Sequence, residues 1–125
     1  DIFQKDGEDN FRKLETKILT TIQGKKIVSC GGGLPIYNNN MRFIKKSGAS
    51  IYLRASEDEL FLRLSKDLKK RPLIENKTNE NLRNFIKETL AKREKFYTMA
   101  DYTIETSTLS KKDVLQKINA LFFPL

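Results

Sequence analysis

The sequence predicts an α/β fold in which a parallel sheet is covered by helices on both faces. Segments with helical spacing of apolar residues alternate along the chain with short runs of β-formers, the pattern of strands linked through crossover helices. The run Ala49–Leu53 is almost continuous in such residues, as expected of a strand with both faces covered. A third observation concerns the end of another strand, where Gly31, Gly32 and Gly33 follow directly on Ile27-Val28-Ser29-Cys30. Open α/β sheets bind ligands at the carboxyl ends of their strands. Three glycines there remove every side chain from a stretch of backbone, so that another group can approach the main chain. A flexible turn is the plainer reading of the triplet taken alone.

A first helix is predicted from about Gly7 to Gln23, with Asp6 as N-cap and Gly24 closing it. Phe11, Leu14, Ile18 and Ile22 recur at spacings of three and four and form one apolar stripe. The strand Ile27–Cys30 and the glycines lead into a helix through Met41, Phe43 and Ile44 that ends near Gly48. Ala49–Leu53 is the second strand. Ser56 and Glu59 make a Ser-x-x-Glu capping box, which opens a helix with Leu60, Phe61 and Leu64 inward. The polar and basic stretch Lys66–Glu80, broken by Pro72, reads as a long mobile loop. A helix from about Asn79 to Thr98 carries Leu82, Phe85, Ile86 and Leu90, and Tyr102–Glu105 is the third strand. Ser110 and Asp113 start a last helix with Val114, Leu115, Ile118 and Phe122.

No repeat, low-complexity tract or linker divides the chain, and 125 residues suffice for one domain only. Three strands are few for five helices, so the domain reads as partial at its amino end. With no histidine and a single cysteine, Ser-His-Asp and Cys-His catalysis and the usual zinc sites are excluded. The lone Cys30 cannot form an internal disulfide, which suits a reducing cytoplasm. No apolar run approaches the length that spans a bilayer. A net charge of +8 calls for an anionic partner, although solvated lysines account for much of it. Aromatic and basic residues are not interleaved, so a stacking surface for nucleic acid is not expected.

Arg93 falls seven positions after Ile86 and eleven after Leu82, on the apolar stripe of its helix. It is either buried, and then needs an anionic partner, or lies along the stripe's edge with its head in water. Periodicity does not choose between the two. Arg12 and Glu15 stand one helical turn apart, a spacing that allows an ion pair and a fixed arginine fork suited to a carboxylate or phosphate. A surface pair of little consequence has the same spacing. The segment Lys66-Asp67-Leu68-Lys69-Lys70-Arg71-Pro72 concentrates positive charge on a loop. A cation delivered by a closing loop can stabilise a phosphoryl group in transfer, and Pro72 stiffens the chain beside Arg71.

In this order the segments resemble shikimate kinase across essentially the whole chain. That family's Phe-Arg-x-x-Glu pattern stands here as Phe11-Arg12-Lys13-Leu14-Glu15, after Asp1-Ile2-Phe3 and Gly7-Glu8. Its glycine triplet stands as Cys30-Gly31-Gly32-Gly33, and its lid signature as Arg71-Pro72-Leu73-Ile74. The helix after the lid matches through Arg93, Tyr97 and Ala100. The resemblance implies a three-layer α/β/α fold with a parallel sheet of order 2-3-1-4-5, of which only the last three strands are expected here. The domain would comprise a substrate-binding helix (1–24), a core (25–65 and 79–125) and a lid (about 66–80).

The same resemblance implies transfer of the γ-phosphoryl group of ATP to the 3-hydroxyl of shikimate, on the route to aromatic amino acids, with Mg²⁺. Arg12 and Arg93 would grip the shikimate carboxylate, and Glu15 would orient Arg12. The backbone of Gly31, Gly32 and Gly33 would face the ring hydroxyls, and Phe3 and Phe11 would wall the pocket. Arg71 would reach the transferring phosphate, and Arg63 would pack on adenine. A cytoplasmic monomer with shikimate and ATP as its partners, and with neither membrane nor nucleic acid, completes the expectation.

Two features depart from the family pattern. Cys30 replaces the usual threonine before the glycines, and no Gly-x-x-x-x-Gly-Lys-Ser/Thr occurs in the sequence. The aspartate that precedes the family's first helix and contacts the reacting hydroxyl is not matched either. In the order 2-3-1-4-5 the strand before that phosphate loop is central. Without it the strands on either side would leave unpaired edges, and these 125 residues alone are expected neither to fold stably nor to be active. The alternatives are a related small-molecule kinase such as gluconate kinase, or a non-catalytic basic binding remnant.

Overall fold

The computed structural model describes residues 2–66 and 79–123, with side chains from residue 7 onward. Helix α1 spans Ile2–Thr21 and is interrupted at Gly7, whose φ of 79° and ψ of 171° are not helical. The predicted start at Gly7 is therefore a break with helical backbone on both sides of it. A positive φ carries no steric penalty at glycine, which is why the chain can redirect there. Leu34–Ile36 forms a single 3₁₀ turn with a proline in its first positions. Asn38 and Asn39 then adopt left-handed φ values of 54° and 57°, which asparagine tolerates better than most residues. Helix α2 (Asn40–Ser47) follows and stops at Gly48.

Strand β1 (Ile51–Arg54), helices α3 (Glu57–Lys66) and α4 (Asn79–Tyr97), strand β2 (Tyr102–Glu105) and helix α5 (Lys111–Phe122) complete the described chain. The two strands run parallel and are paired from Ile51↔Tyr102 to Arg54↔Glu105. Of the two capping signals expected, Ser110/Asp113 forms a box in full and Ser56/Glu59 only its Ser56 half, because Ser56 N donates to Ser107 Oγ over 2.8 Å and Glu59 turns to Arg63. Glu59 N donates to Ser56 Oγ over 3.1 Å, and Ser110 and Asp113 form a reciprocal capping box at the start of α5. Helices around a parallel pair bear out the expected fold class. Among the described residues no helix is long and apolar enough to cross a membrane.

The first of the three expected strands, Ile27–Cys30, is not formed. The segment belongs to no sheet, Ile27 is fully exposed at 101% and Val28 is nearly half exposed. Residue preference made this segment a strand candidate, but a strand is completed by the hydrogen-bonding edge beside it. In the 2-3-1-4-5 order that edge comes from a strand which no described residue supplies. Lys66–Glu80, read as a mobile loop, falls largely outside the described residues.

The core lies between α3 and α4. Leu82 is 0% exposed and packs with Ile86, and Leu60, Phe61, Leu64, Phe85 and Leu90 close around them. The start of the sheet is held by Asp101. Its Oδ2 accepts from Ser50 N over 2.9 Å and from Ser50 Oγ over 3.1 Å, and its Oδ1 lies 3.1 Å from Lys45 Nζ. At the other end Arg54 reaches Glu105 across the strand pair, 2.9 Å away.

Truncation of the most enclosed side chain should be the most damaging core change. Leu82→Ala is expected to lower stability by about 2–5 kcal/mol in equilibrium denaturation. A second prediction concerns pH. The Ser50 backbone N–H, with Lys45 and the Ser50 hydroxyl, holds the Asp101 carboxyl below the usual carboxylate range. A lowered folded-state pKa adds stability above the unfolded value and loses it as pH falls through the folded one. The stability difference between wild type and Asp101→Asn should therefore shrink below about pH 3.9 in acid-denaturation curves.

Candidate anion-binding site

Arg12 lies on the inner side of α1 and is only 8% exposed. A buried guanidinium is tolerated only with its charge and donors matched, and the helix supplies both partners from its own turns. Arg12 Nη1 donates to Glu15 Oε1 over 2.8 Å. On the preceding turn, Glu8 Oε2 accepts from Nε and Nη2, each over 3.3 Å. Tyr37 donates its hydroxyl to that same oxygen over 3.0 Å. Arg12 Cζ sits 4.7 Å from the Tyr37 ring centroid and 5.2 Å from that of Phe11. Burial alone would lower the Arg12 pKa, but the hydrogen bonds and charge of Glu15, then Glu8, leave it raised.

Thr16 ties this turn to the segment after the glycines. Its Oγ1 donates to Arg12 O and accepts from the amide nitrogens of Asn38 and Asn40, all over 3.0 Å. Asn40 is buried and also donates to Leu34 O over 2.9 Å.

The glycines meet two arginines. A Cβ at Gly33 would stand 2.6 Å from both Cζ and Nη2 of Arg12. A Cβ at Gly32 would stand 2.7 Å from Arg93 Nη1 and 3.2 Å from the Tyr97 hydroxyl. At Gly31 the nearest group would be Glu15 Oε2, at 3.6 Å. Any side chain at Gly32 or Gly33 would displace a guanidinium. Tyr97, one turn after Arg93 on α4, donates its hydroxyl to Gly32 O. Its ring packs 5.1 Å from that of Tyr52, which in turn donates to Glu94 Oε2 over 2.7 Å. Burial and Glu94 push the Tyr52 phenol well above its ordinary pKa.

Arg93, for which periodicity left burial open, is half-buried. It forms no ion pair with a described residue. Among the described residues, then, Arg12 is the neutralised member of the pair and Arg93 the one without an ion-pair partner. Two forks that meet over bare backbone can grip a carboxylate or a phosphate oxygen pair. Among the described residues no group of three His, Cys, Asp or Glu side chains could hold a metal ion.

The structure brings together Arg12, Glu15, Gly31, Gly32, Gly33 and Arg93, with Phe11 at the edge. Arg63 stands apart on the exposed surface of α3, its Nε 3.0 Å from Glu59 Oε1. Arg71 lies outside the described residues, as does the Phe3 side chain. Sequence reasoning gave no role to Glu8, Tyr37, Thr16 or Asn40. The spacing of Glu8 four residues before Arg12 carried a signal for the first, whereas the others act through long-range contacts.

Beside the glycines, an apolar groove of about 160 Å³ runs between α1 and residues 28–34, with Glu15 and Cys30 at its polar end. Partial burial there, then the Glu15 charge, raises the Cys30 thiol pKa. Alkylation of Cys30, which is exposed, should consequently be slower at a given pH than that of an unperturbed thiol, and Glu15→Gln should move the midpoint of its pH–rate profile downward.

The family model described as Shikimate kinase matches residues 1–122. Shikimate kinase of Parabacteroides distasonis is 38% identical over 123 residues, which are 96% of this chain and 71% of that protein. Shikimate kinase of Thermodesulfovibrio yellowstonii is 40% identical over 120 residues, 94% of this chain and 67% of that protein. The crystal structure of the Bacteroides thetaiotaomicron enzyme superposes with a TM-score of 0.88 at 31% identity, over 96% of this chain and 72% of that one. The Acinetobacter baumannii shikimate kinase, solved in complex with shikimate, superposes with a TM-score of 0.83 at 34% identity, over 96% of this chain and 66% of that one.

Proposed function

The chain belongs to the shikimate kinase family, and from that membership we propose that its paired arginines hold the carboxylate of shikimate for phosphorylation by ATP. The observation that carries this reading is the meeting of Arg12 and Arg93, from two different helices, over Gly32 and Gly33. In this assignment Glu15 fixes the direction of Arg12, and Arg93 supplies the uncompensated charge. The backbone of Gly31, Gly32 and Gly33, which carries no side chains of its own, faces the ring hydroxyls. Phe11, and Phe3 ahead of it, wall the apolar side of the ring.

The chemistry is the attack of the 3-hydroxyl oxygen on the γ-phosphorus of ATP: the new O–P bond forms as the bond to the β–γ bridging oxygen breaks, ADP leaves and the hydroxyl proton passes to solvent. Arg71 takes the role of lid cation, stabilising the charge spread over the transferring oxygens. Arg63 takes the adenine-facing role. Mg²⁺ would be held mainly by the nucleotide's own phosphates, since no described cluster of carboxylates could hold it, and would supply charge neutralisation there. A monomer acting in the cytoplasm is part of the same reading.

Binding calorimetry with shikimate, in the absence of nucleotide and in a protein that carries the central strand as well as these residues, tests the acceptor assignment. Arg12→Ala and Arg93→Ala should each weaken binding by about 2–5 kcal/mol, the range for truncating one partner of a desolvated charge pair. Thermal midpoints serve as the control for folding. Unchanged shikimate affinity in both variants would remove the carboxylate grip from the mechanism.

A further inference from the structure

We propose that Glu8 and Tyr37 are positioning residues that set which edge of the Arg12 guanidinium faces the acceptor's carboxylate, an inference that rests on the reading above. A guanidinium has five N–H donors. Glu8 Oε2 takes Nε and one hydrogen of Nη2, and Glu15 Oε1 takes one hydrogen of Nη1. One N–H then remains on each terminal nitrogen. Such a pair matches the two oxygens of a carboxylate.

Without Glu8 the Nε side of the fork would be a second docking edge, and rotation about the Cδ–Nε bond would let the two compete. Occupation of that side by Glu8 leaves a single presentation. Tyr37 sets the position of Glu8 in turn. It donates to Oε2 from the segment that begins with the glycines, so one hydrogen bond relates the fork on α1 to the backbone at Gly33. Its ring also covers a face of the guanidinium. Gly7 places Glu8 at the start of the helical run that carries Arg12, because the break lies immediately before it.

A purely structural role fits these residues poorly. The Glu8 side chain is 47% exposed, and ion pairs of that exposure contribute little to stability. Loss of Glu8 should therefore leave the fold in place and loosen the fork.

The test uses Glu8→Ala, Glu8→Gln and Tyr37→Phe, each read by shikimate calorimetry, thermal midpoint and the Arg12 Nε–H resonance in ¹⁵N-labelled protein. Glu8→Ala should raise the dissociation constant on the order of tenfold, the equivalent of one charge-assisted hydrogen bond. Tyr37→Phe should raise it by less. Glu8→Gln, which keeps an acceptor oxygen in place, should recover part of the affinity, and all three should melt with wild type. The Arg12 Nε–H signal should be sharp in wild type and broadened or lost in Glu8→Ala. Unchanged affinity with an unchanged resonance would overturn the inference, as would affinity lost only in step with thermal stability. If wild type does not bind shikimate, the acceptor assignment fails by itself. The resonance still decides whether Glu8 holds the fork.

Discussion

Burial of the Arg12 guanidinium is the constraint around which the ligand-facing half of this molecule is arranged. An ion removed from water is tolerated only if partners stand ready on every side from which water has been excluded. That requirement accounts for Glu15, the close and mostly buried partner one turn ahead, and for the two aromatic rings beside the fork. It also accounts for Gly33, since any larger residue would occupy the volume of the guanidinium. Gly32 and Gly33 are therefore a demand of the protein's own arginines before they are an accommodation for a ligand, whereas a Cβ at Gly31 would meet only an ordinary contact with Glu15. Arg93 and Gly32 repeat the relation from the opposite helix.

Helices and caps were legible in the sequence because the information that specifies them is local. The stripe Leu82, Phe85, Ile86 and Leu90 marked α4 to within a residue at its end, and Ser56 and Ser110 both cap. Tyr102–Glu105 was equally clear, because it finds its partner in β1. Ile27–Cys30 had the same residue preferences but has no edge beside it, and an edge is not written in the segment itself. The break at Gly7 is similar in kind. A glycine next to a helical pattern reads as a terminus, while the backbone continues helical beyond it.

The site was half legible, for a related reason. Arg12 and Glu15 share a helix, so their spacing could be read, but the partners that distinguish a buried fork from a surface ion pair come from elsewhere. Tyr37 reaches Glu8 across 29 positions of sequence, and Asn40 reaches Thr16 across 24. Nothing local to those residues announces the contact. Arg93 was correctly placed on its stripe, but only the approach of Gly32 explains why a half-buried arginine is useful there.

The segment from Gly31 to Asn40 emerges as the common frame. Helices α1 and α4 both pack against its 3₁₀ turn, and each sends polar groups into it, Thr16 from one and the Tyr97 hydroxyl from the other. The distance between the two arginine forks is thus set by one short stretch of backbone rather than by direct helix packing. Two left-handed asparagines and a proline stiffen that stretch. A carboxylate seated between the forks would meet Arg12 already paired with Glu8 and Glu15, and Arg93 with no ion pair to a described residue. Selectivity must then come less from bulk positive potential than from the direction of the few N–H groups left free. For that reason the 31–40 frame, more than the net charge of +8, is what would decide which anion the two forks accept.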